Sequence, residues 1–243
     1  GDDPAAARWA ELAVRVARAG APRRLPDALG YLAYALGATG QPDRAAEVAR
    51  EALSLLDEVE SPGMRAGTRI NAAMALIEAG QGVVAREVLI SGLSDLRQAP
   101  EGIPNYFVNL GWAHLATGEP AEALRCFRRF LDEAAHMDEW LWMVEALAGC
   151  ACALHQTGQA RPAALALGGA ERLIERLGVR VTPWVRQQLE TVYAELARRP
   201  HGHDLVRAGA QLTADTVVSL VRDRTAADGA PGAPAPPVAD VRR

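Results

Sequence analysis

Two short strings hold the side chains best suited to ligating a soft metal or attacking carbon, Cys150-Ala151-Cys152 and His201-Gly202-His203. Thiolates and imidazoles make a zinc or copper site only when they converge on one point. Residues two apart on a helix face different ways, so the C-x-C string on a helical stretch does not converge. The two imidazoles beside Pro200 read as solvated loop residues. His114 and His155, four and three residues before equivalent glycines, read as packing histidines. With Cys126 there are three cysteines, too few and too odd for a disulfide framework, and they read as small core residues. Asp57/Glu58, Asp132/Glu133 and Asp138/Glu139 are adjacent carboxylates at helix ends or loops. General acid–base work needs carboxyls held in a cleft in unlike environments, so these pairs read as solvated surface. No HExxH, GxSxG, CxxC or GxGxxG string occurs. A Walker loop needs a lysine, and all 26 basic residues are arginine. The expectation is therefore no catalytic residue, no metal site and no cofactor.

What remains is a chain built to bury and present surface. Its 243 residues are 49% hydrophobic and 23% charged, enough for a sizeable core and an ordinary polar surface. A net charge of −4 supplies no field that would draw the chain to phosphate backbones, so direct nucleic-acid binding is not expected. No run of about 18 apolar residues and no signal-peptide pattern occurs, and the expected location is cytoplasmic, with no membrane partner.

The elements that position everything else come from a repeat. Gly40, Gly80, Gly118 and Gly158 stand 40, 38 and 40 residues apart in matching surroundings. Five residues before each is Ala35, Ala75, Ala113 or Ala153, and five after is Ala45, Ala85, Ala123 or Ala163. Alanine at both places lets two antiparallel helices approach closely. Seven before, Ala33, Ala73, Gly111 and Ala151 leave room for a neighbouring helix. The glycines suit left-handed helix C-caps, and Pro42 and Pro120 suit the first turns that follow. Helical periodicity fills the intervals, as in Leu124, Phe127, Phe130 and Leu131. The spacing predicts helices over 4–19, 26–39, 42–59, 63–79, 82–99, 103–117, 120–136, 139–157, 160–178, 182–198, 201–208 and 213–223. The fold class is all-α, a tetratricopeptide-like α-solenoid, a right-handed superhelix of antiparallel helix pairs over residues 1–224. A Pro/Ala/Gly-rich stretch over 225–243 reads as a linker or disordered tail.

This pattern of small residue, Ala, Gly and Ala resembles the tetratricopeptide repeat, with a period above the usual one. The stretch from Glu145-Ala146-Leu147-Ala148-Gly149 through Gly158-Gln159-Ala160 to Gly168-Gly169-Ala170-Glu171-Arg172-Leu173-Ile174-Glu175-Arg176-Leu177-Gly178, followed by Pro183, resembles a narrower group. It is similar to the C-terminal helical region of actinobacterial LuxR-type and antibiotic-regulatory-protein-type transcriptional regulators that carry a nucleotide-binding STAND module. The likeness continues through Glu190, Leu205, Val206, Ala208, Gly209 and Leu212 to Leu220. In LuxR-type members a Pro/Ala linker leads to a helix-turn-helix. The resemblance places no ATPase or DNA-binding residue within this sequence.

In such arrays the first helix of each pair lines the concave face, and the position six before each anchor points into it. Those residues are Tyr34, Met74, Trp112 and Cys152. Adding Ile70, Ile77, Asn105, Val108 and Leu115, with Asn71 and Asn109 to bond a peptide backbone, outlines a partner-binding groove. It lacks the cationic clamp used for terminal carboxylates and suits an amphipathic helix or apolar peptide. The same side chains would also serve if they only packed on the next repeat, or if a curling end of the solenoid covered them. Trp140 and Trp142 with Met137 and Met143 read as a bulky core junction. The expected function is a protein-interaction and signal-relay module of a bacterial transcriptional regulator, responding to a protein, peptide or small effector, with homo-oligomerisation as a further option. The alternative is a free-standing adaptor.

Overall fold

A computed structural model describes residues 3–99, 105–134 and 140–222. The stretch 225–243, Met137 and the Asp138/Glu139 pair lie outside the described residues. Thirteen α-helices run through the described residues, with no strand among them. They are α1 (Asp3–Gly20), α2 (Leu25–Ala38), α3 (Pro42–Ser54), α4 (Pro62–Glu78), α5 (Gly82–Ser91), α6 (Leu93–Gln98) and α7 (Asn105–Ala116). After them come α8 (Pro120–Glu133), α9 (Trp140–Gln156), α10 (Ala160–Leu177), α11 (Pro183–Ala197), α12 (Gly202–Gly209) and α13 (Ala214–Arg222).

The four anchor glycines close four helices in the expected way. Their φ angles are 75°, 73°, 74° and 82°, a region that costs glycine nothing. The residue after each donates its N–H back to the last turn: Gln41 to Leu36 O at 2.9 Å, Gln81 to Leu76 O at 2.8 Å, Glu119 to His114 O at 2.9 Å and Gln159 to Leu154 O at 2.8 Å. Just before three anchors, Thr39, Thr117 and Thr157 donate their hydroxyls to the carbonyls of Ala35, Ala113 and Ala153. Each turn reverses the chain within about three residues. The pairs α2/α3, α4/α5, α7/α8 and α9/α10 therefore pack as hairpins, and the first helices α2, α4, α7 and α9 follow one another in contact.

Small residues decide how closely the pairs approach. Ala33, Ala45, Ala73, Ala85, Ala113, Ala123, Ala151 and Ala163 are all fully buried. Phe127 of α8 is wedged between α7 and α9 at Gly111 and Gly149. A Cβ at Gly111 would lie 2.6 Å from its ring, and one at Gly149 would overlap it.

Two expected helices are interrupted. The 42–59 segment ends as α-helix at Ser54 and finishes in a 3-10 turn, Leu56–Glu58. The 82–99 segment breaks at Gly92 into α5 and α6. The Tyr106 hydroxyl crosses at that break and donates to Leu89 O, and Arg69 Cδ would stand 2.6 Å from a Cβ on Gly92. Asp95 then holds α6 on α4. Its carboxylate accepts from Arg65 Nε at 2.8 Å and Nη2 at 2.6 Å, and from Arg69. Burial alone would raise its pKa, but the two arginines prevail and hold it below the usual carboxylate range.

Candidate functional site

The ten residues expected to line a groove do not line an open one. Ile70, Met74, Ile77, Val108, Asn109, Trp112 and Leu115 are buried, and Tyr34, Asn71 and Asn105 are half-buried. Asn109 is turned onto its own helix, donating from Nδ2 to Asn105 O at 2.7 Å, so it is not free for a peptide backbone. Asn71 stands at the α2/α4 crossing, where its Cβ would be 3.5 Å from a Cβ on Gly30. Cys152, the fourth residue of the row, is buried in α9.

Over Trp112 the cover is the chain's own helix α11. In a regular continuation it would stack along α10 as the first helix of the next pair. Instead α12 takes the place against α10, and α11 reaches across to α9 and α4. Trp184 packs edge-on to Trp112, ring centroids 5.9 Å apart and planes at 89°, and Trp112 meets Phe127 in the same manner at 5.3 Å. The Trp184 backbone N–H donates to both oxygens of Glu78 at 3.1 and 3.2 Å, a contact across 106 residues of sequence. Further along, His155 Nε2 meets Glu195 Oε2 at 2.6 Å, and Arg186 donates to Glu171 at 2.7 Å. Val185, Leu189, Val192 and Leu196, spaced three and four apart, form the buried stripe of α11.

Polar groups under this cover are incompletely paired. Trp112 Nε1 and His155 Nδ1 are buried without a hydrogen-bond partner among the described residues. A buried donor left unpaired costs about 1–3 kcal/mol. Burial also raises the Glu78 pKa, an effect offset in part by the neighbouring Thr182 hydroxyl and Trp184 N–H.

A curling end of the solenoid over these side chains is one of the readings the sequence leaves open; that α11 is the helix, and its crossing path, are not read from it. The next anchor glycine would fall near position 197, where Leu196-Ala197-Arg198 stands. The left-handed cap after α10 is Gly178 (φ 63°), followed by the short link to Pro183. Both departures from the repeat were signals that α11 leaves the stack. The glycines at 168 and 209 complete the rearrangement: a Cβ on either would overlap backbone of the facing helix, so α10 and α12 cross nearly in contact.

The residues with metal or nucleophile chemistry are placed elsewhere. Cys150 and Cys152 are buried and Cys126 partly so, and burial pushes each thiol up to about 12, far from reactive thiolate. His114 Nδ1 lies 2.6 Å from Glu119 Oε2, and Arg86 donates to the other oxygen, Oε1, of the same carboxylate. His203 Nδ1 meets the Tyr193 hydroxyl at 3.2 Å, and His201 begins α12 in the left-handed region. No group of three metal-ligating side chains is assembled among the described residues. Trp142 and Met143 pack partly buried on the core as expected, whereas Trp140 is 44% exposed.

The tetratricopeptide repeat model matches residues 26–51 and 105–129, which are α2 with most of α3 and α7 with most of α8. Among solved structures the chain is similar to a Podosopora anserina protein named for kinesin light chain and built of nearly identical TPR-like repeats. The identity is 21%, the TM-score 0.51, and the match covers 80% of this chain and 97% of that one. A singly substituted form of that protein gives the same values. The fold is tetratricopeptide-like. A comparison with curated proteins found no match. Tetratricopeptide repeats in general mediate protein–protein interaction. No helix among the described residues is long and apolar enough to cross a membrane.

Proposed function

We propose that the chain is a protein-interaction module whose binding face is the row Ile70, Met74, Ile77, Val108, Trp112 and Leu115, kept covered by α11 until a partner helix replaces it. The observation that carries this is Trp184 seated on Trp112 while its N–H bonds Glu78. An amphipathic helix already occupies the face, so the face accepts that kind of ligand. The unpaired Trp112 Nε1 and His155 Nδ1 weaken the hold, which makes exchange for a better-fitting helix favourable. Tyr34, Asn71, Asn105 and Asn109 border this face, and Asn109 would have to leave Asn105 O to bond a ligand.

In this reading the module relays a signal by moving α11, within a bacterial transcriptional regulator. The likeness of 145–220 to helical regions of LuxR-type and antibiotic-regulatory-protein-type regulators supports that setting. A fluorescently labelled peptide of residues 181–199 tests the face. It should bind the Trp184→Ala chain saturably and at least about tenfold more tightly than the wild-type chain. Adding Trp112→Ala should abolish that binding. Equal binding to both chains would sink the covered-face reading. The setting is tested by the intact mass and reading frame of the native protein: a phosphate-binding loop or helix-turn-helix on the same polypeptide supports the relay, and a protein with neither leaves an adaptor.

A further inference from the structure

Glu78 stands where its own helix disfavours a negative charge. It is the last residue of α4, at the negative end of that helix's dipole, and no basic residue shares its turn. The residues two before the other anchors are uncharged: Ala38, Ala116 and Gln156. What Glu78 meets is the start of α11. Pro183 at N1 has no N–H, and the Arg186 N–H closes the first turn on Thr182 O at 2.9 Å. Between them the Trp184 N–H, which has no acceptor within its own helix, goes to Glu78. Thr182 occupies the N-cap, yet its hydroxyl makes no cap bond to α11 and lies beside Glu78 instead. A carboxylate from another repeat thus replaces the local cap of α11.

The charges within α11 run against its own dipole. Its first turn holds no acid and closes on Arg186, whereas Glu195 stands in a last turn without a basic residue, Arg198 following only at the C-cap. Either placement weakens a free helix. On this face both are matched. Arg186 Nη1 donates to Glu171 Oε1 at 2.7 Å, and Glu195 Oε2 meets Nε2 of His155, in the last turn of α9, at 2.6 Å. An ionised carboxylate only accepts, so His155 Nε2 carries the hydrogen. The face therefore presents two carboxylates, Glu78 and Glu171, where the helix begins and a donor where it ends. That order complements a helix dipole in one direction only.

We propose that this face selects its partner helix by direction and by charge order, an inference that rests on the covered-face reading given under the proposed function. The partner enters with its N-terminus on Glu78 and has no acidic residue at its N-cap or in its first turn. A basic residue closes that turn against Glu171, an acidic residue near its far end meets His155, and an apolar stripe like Val185, Leu189, Val192 and Leu196 lies between. A helix with an acidic first turn is the better helix alone, but here its carboxylate would share a half-buried site with Glu78 and be refused. Glu78 is thereby a specificity-determining residue.

The test titrates labelled, N-terminally acetylated peptides of residues 181–199 into the Trp184→Ala chain. Thr182→Asp and Thr182→Asn in the peptide have the same shape and differ in charge. Both are good N-caps, so neither loses helicity in circular dichroism. The Thr182→Asp peptide should bind at least about tenfold more weakly than the unaltered one, and the Thr182→Asn peptide within about threefold of it. With Glu78→Gln added to the chain, the aspartate penalty should fall below about threefold. Helix propensity alone would give the aspartate peptide equal or tighter binding. That result overturns selection by charge while leaving the covered face standing, and so does a penalty that the asparagine peptide shares or that persists in the Glu78→Gln chain. Failure of the unaltered peptide to bind overturns both readings together.

Discussion

Glu145 illustrates how one buried side chain sets a pH dependence. It is 4% exposed, and burial raises its pKa from 4.5 to about 7. The folded state then holds the proton more tightly than the unfolded state. Its contribution is fully present below about pH 4.5 and is lost as pH rises through about 7. Glu145→Gln should therefore leave the melting temperature unchanged near pH 4.5 and raise it at pH 8, by up to about 3 kcal/mol of stability. Asp95 works in the opposite sense. Held low by Arg65 and Arg69, it stabilises above its unfolded pKa of about 3.8 and fails as pH falls below that value. Asp95→Ala strands two partly buried guanidinium groups and should cost about 3 kcal/mol in urea unfolding at pH 7. At Phe127, Gly149→Ala forces the ring from its slot and should cost about 1–3 kcal/mol, whereas Gly20→Ala, with nothing within 4 Å, should be nearly neutral.

At the scale of elements, α11 is held by the Trp184–Trp112 contact, by polar contacts to Glu78, Glu171 and His155 and by a single apolar stripe, while the hairpins are held along their whole length. Trp184→Ala should raise amide exchange in α11 and over Met74 and Trp112, leaving α2/α3 unaltered, as read by hydrogen–deuterium exchange. How much of this was visible in the sequence follows the same division. The hairpins were legible because each depends on residues close in sequence: a positive-φ glycine and alanines five residues to either side, with Pro42 and Pro120 opening the next helix in two of the four. The break at Gly92 and the identity of the helix that closes over Trp112 were not, because both depend on distant partners. Tyr106 and Arg69 meet at Gly92, and Trp184 meets Glu78. The apolar row at Trp112 is visible in the sequence as helical periodicity, but periodicity carries no information about which helix lies nearest to it.

Across the whole molecule, α11 and α13 turn an array of neighbours into a closed unit. An ideal repeat array touches only adjacent repeats and loses cooperativity as it lengthens. Here α11 ties α4 to α9, and Arg128 Nε on α8 donates to Val221 O on α13 at 2.6 Å, across 93 residues. Guanidinium unfolding of the wild-type chain should be a single transition. In Trp184→Ala it should broaden with a lower denaturant slope, as the N-terminal pairs uncouple from the rest. The 106-residue span of the Trp184–Glu78 contact also orders events in time. A chain made N-terminus first, at about 5–20 residues per second, exposes the surface around Trp112 for roughly 4–14 s before Trp184 is added. On the proposed reading, a partner helix would meet that face during synthesis with no competitor to evict, and assembly beside the ribosome would be faster than assembly with the finished protein.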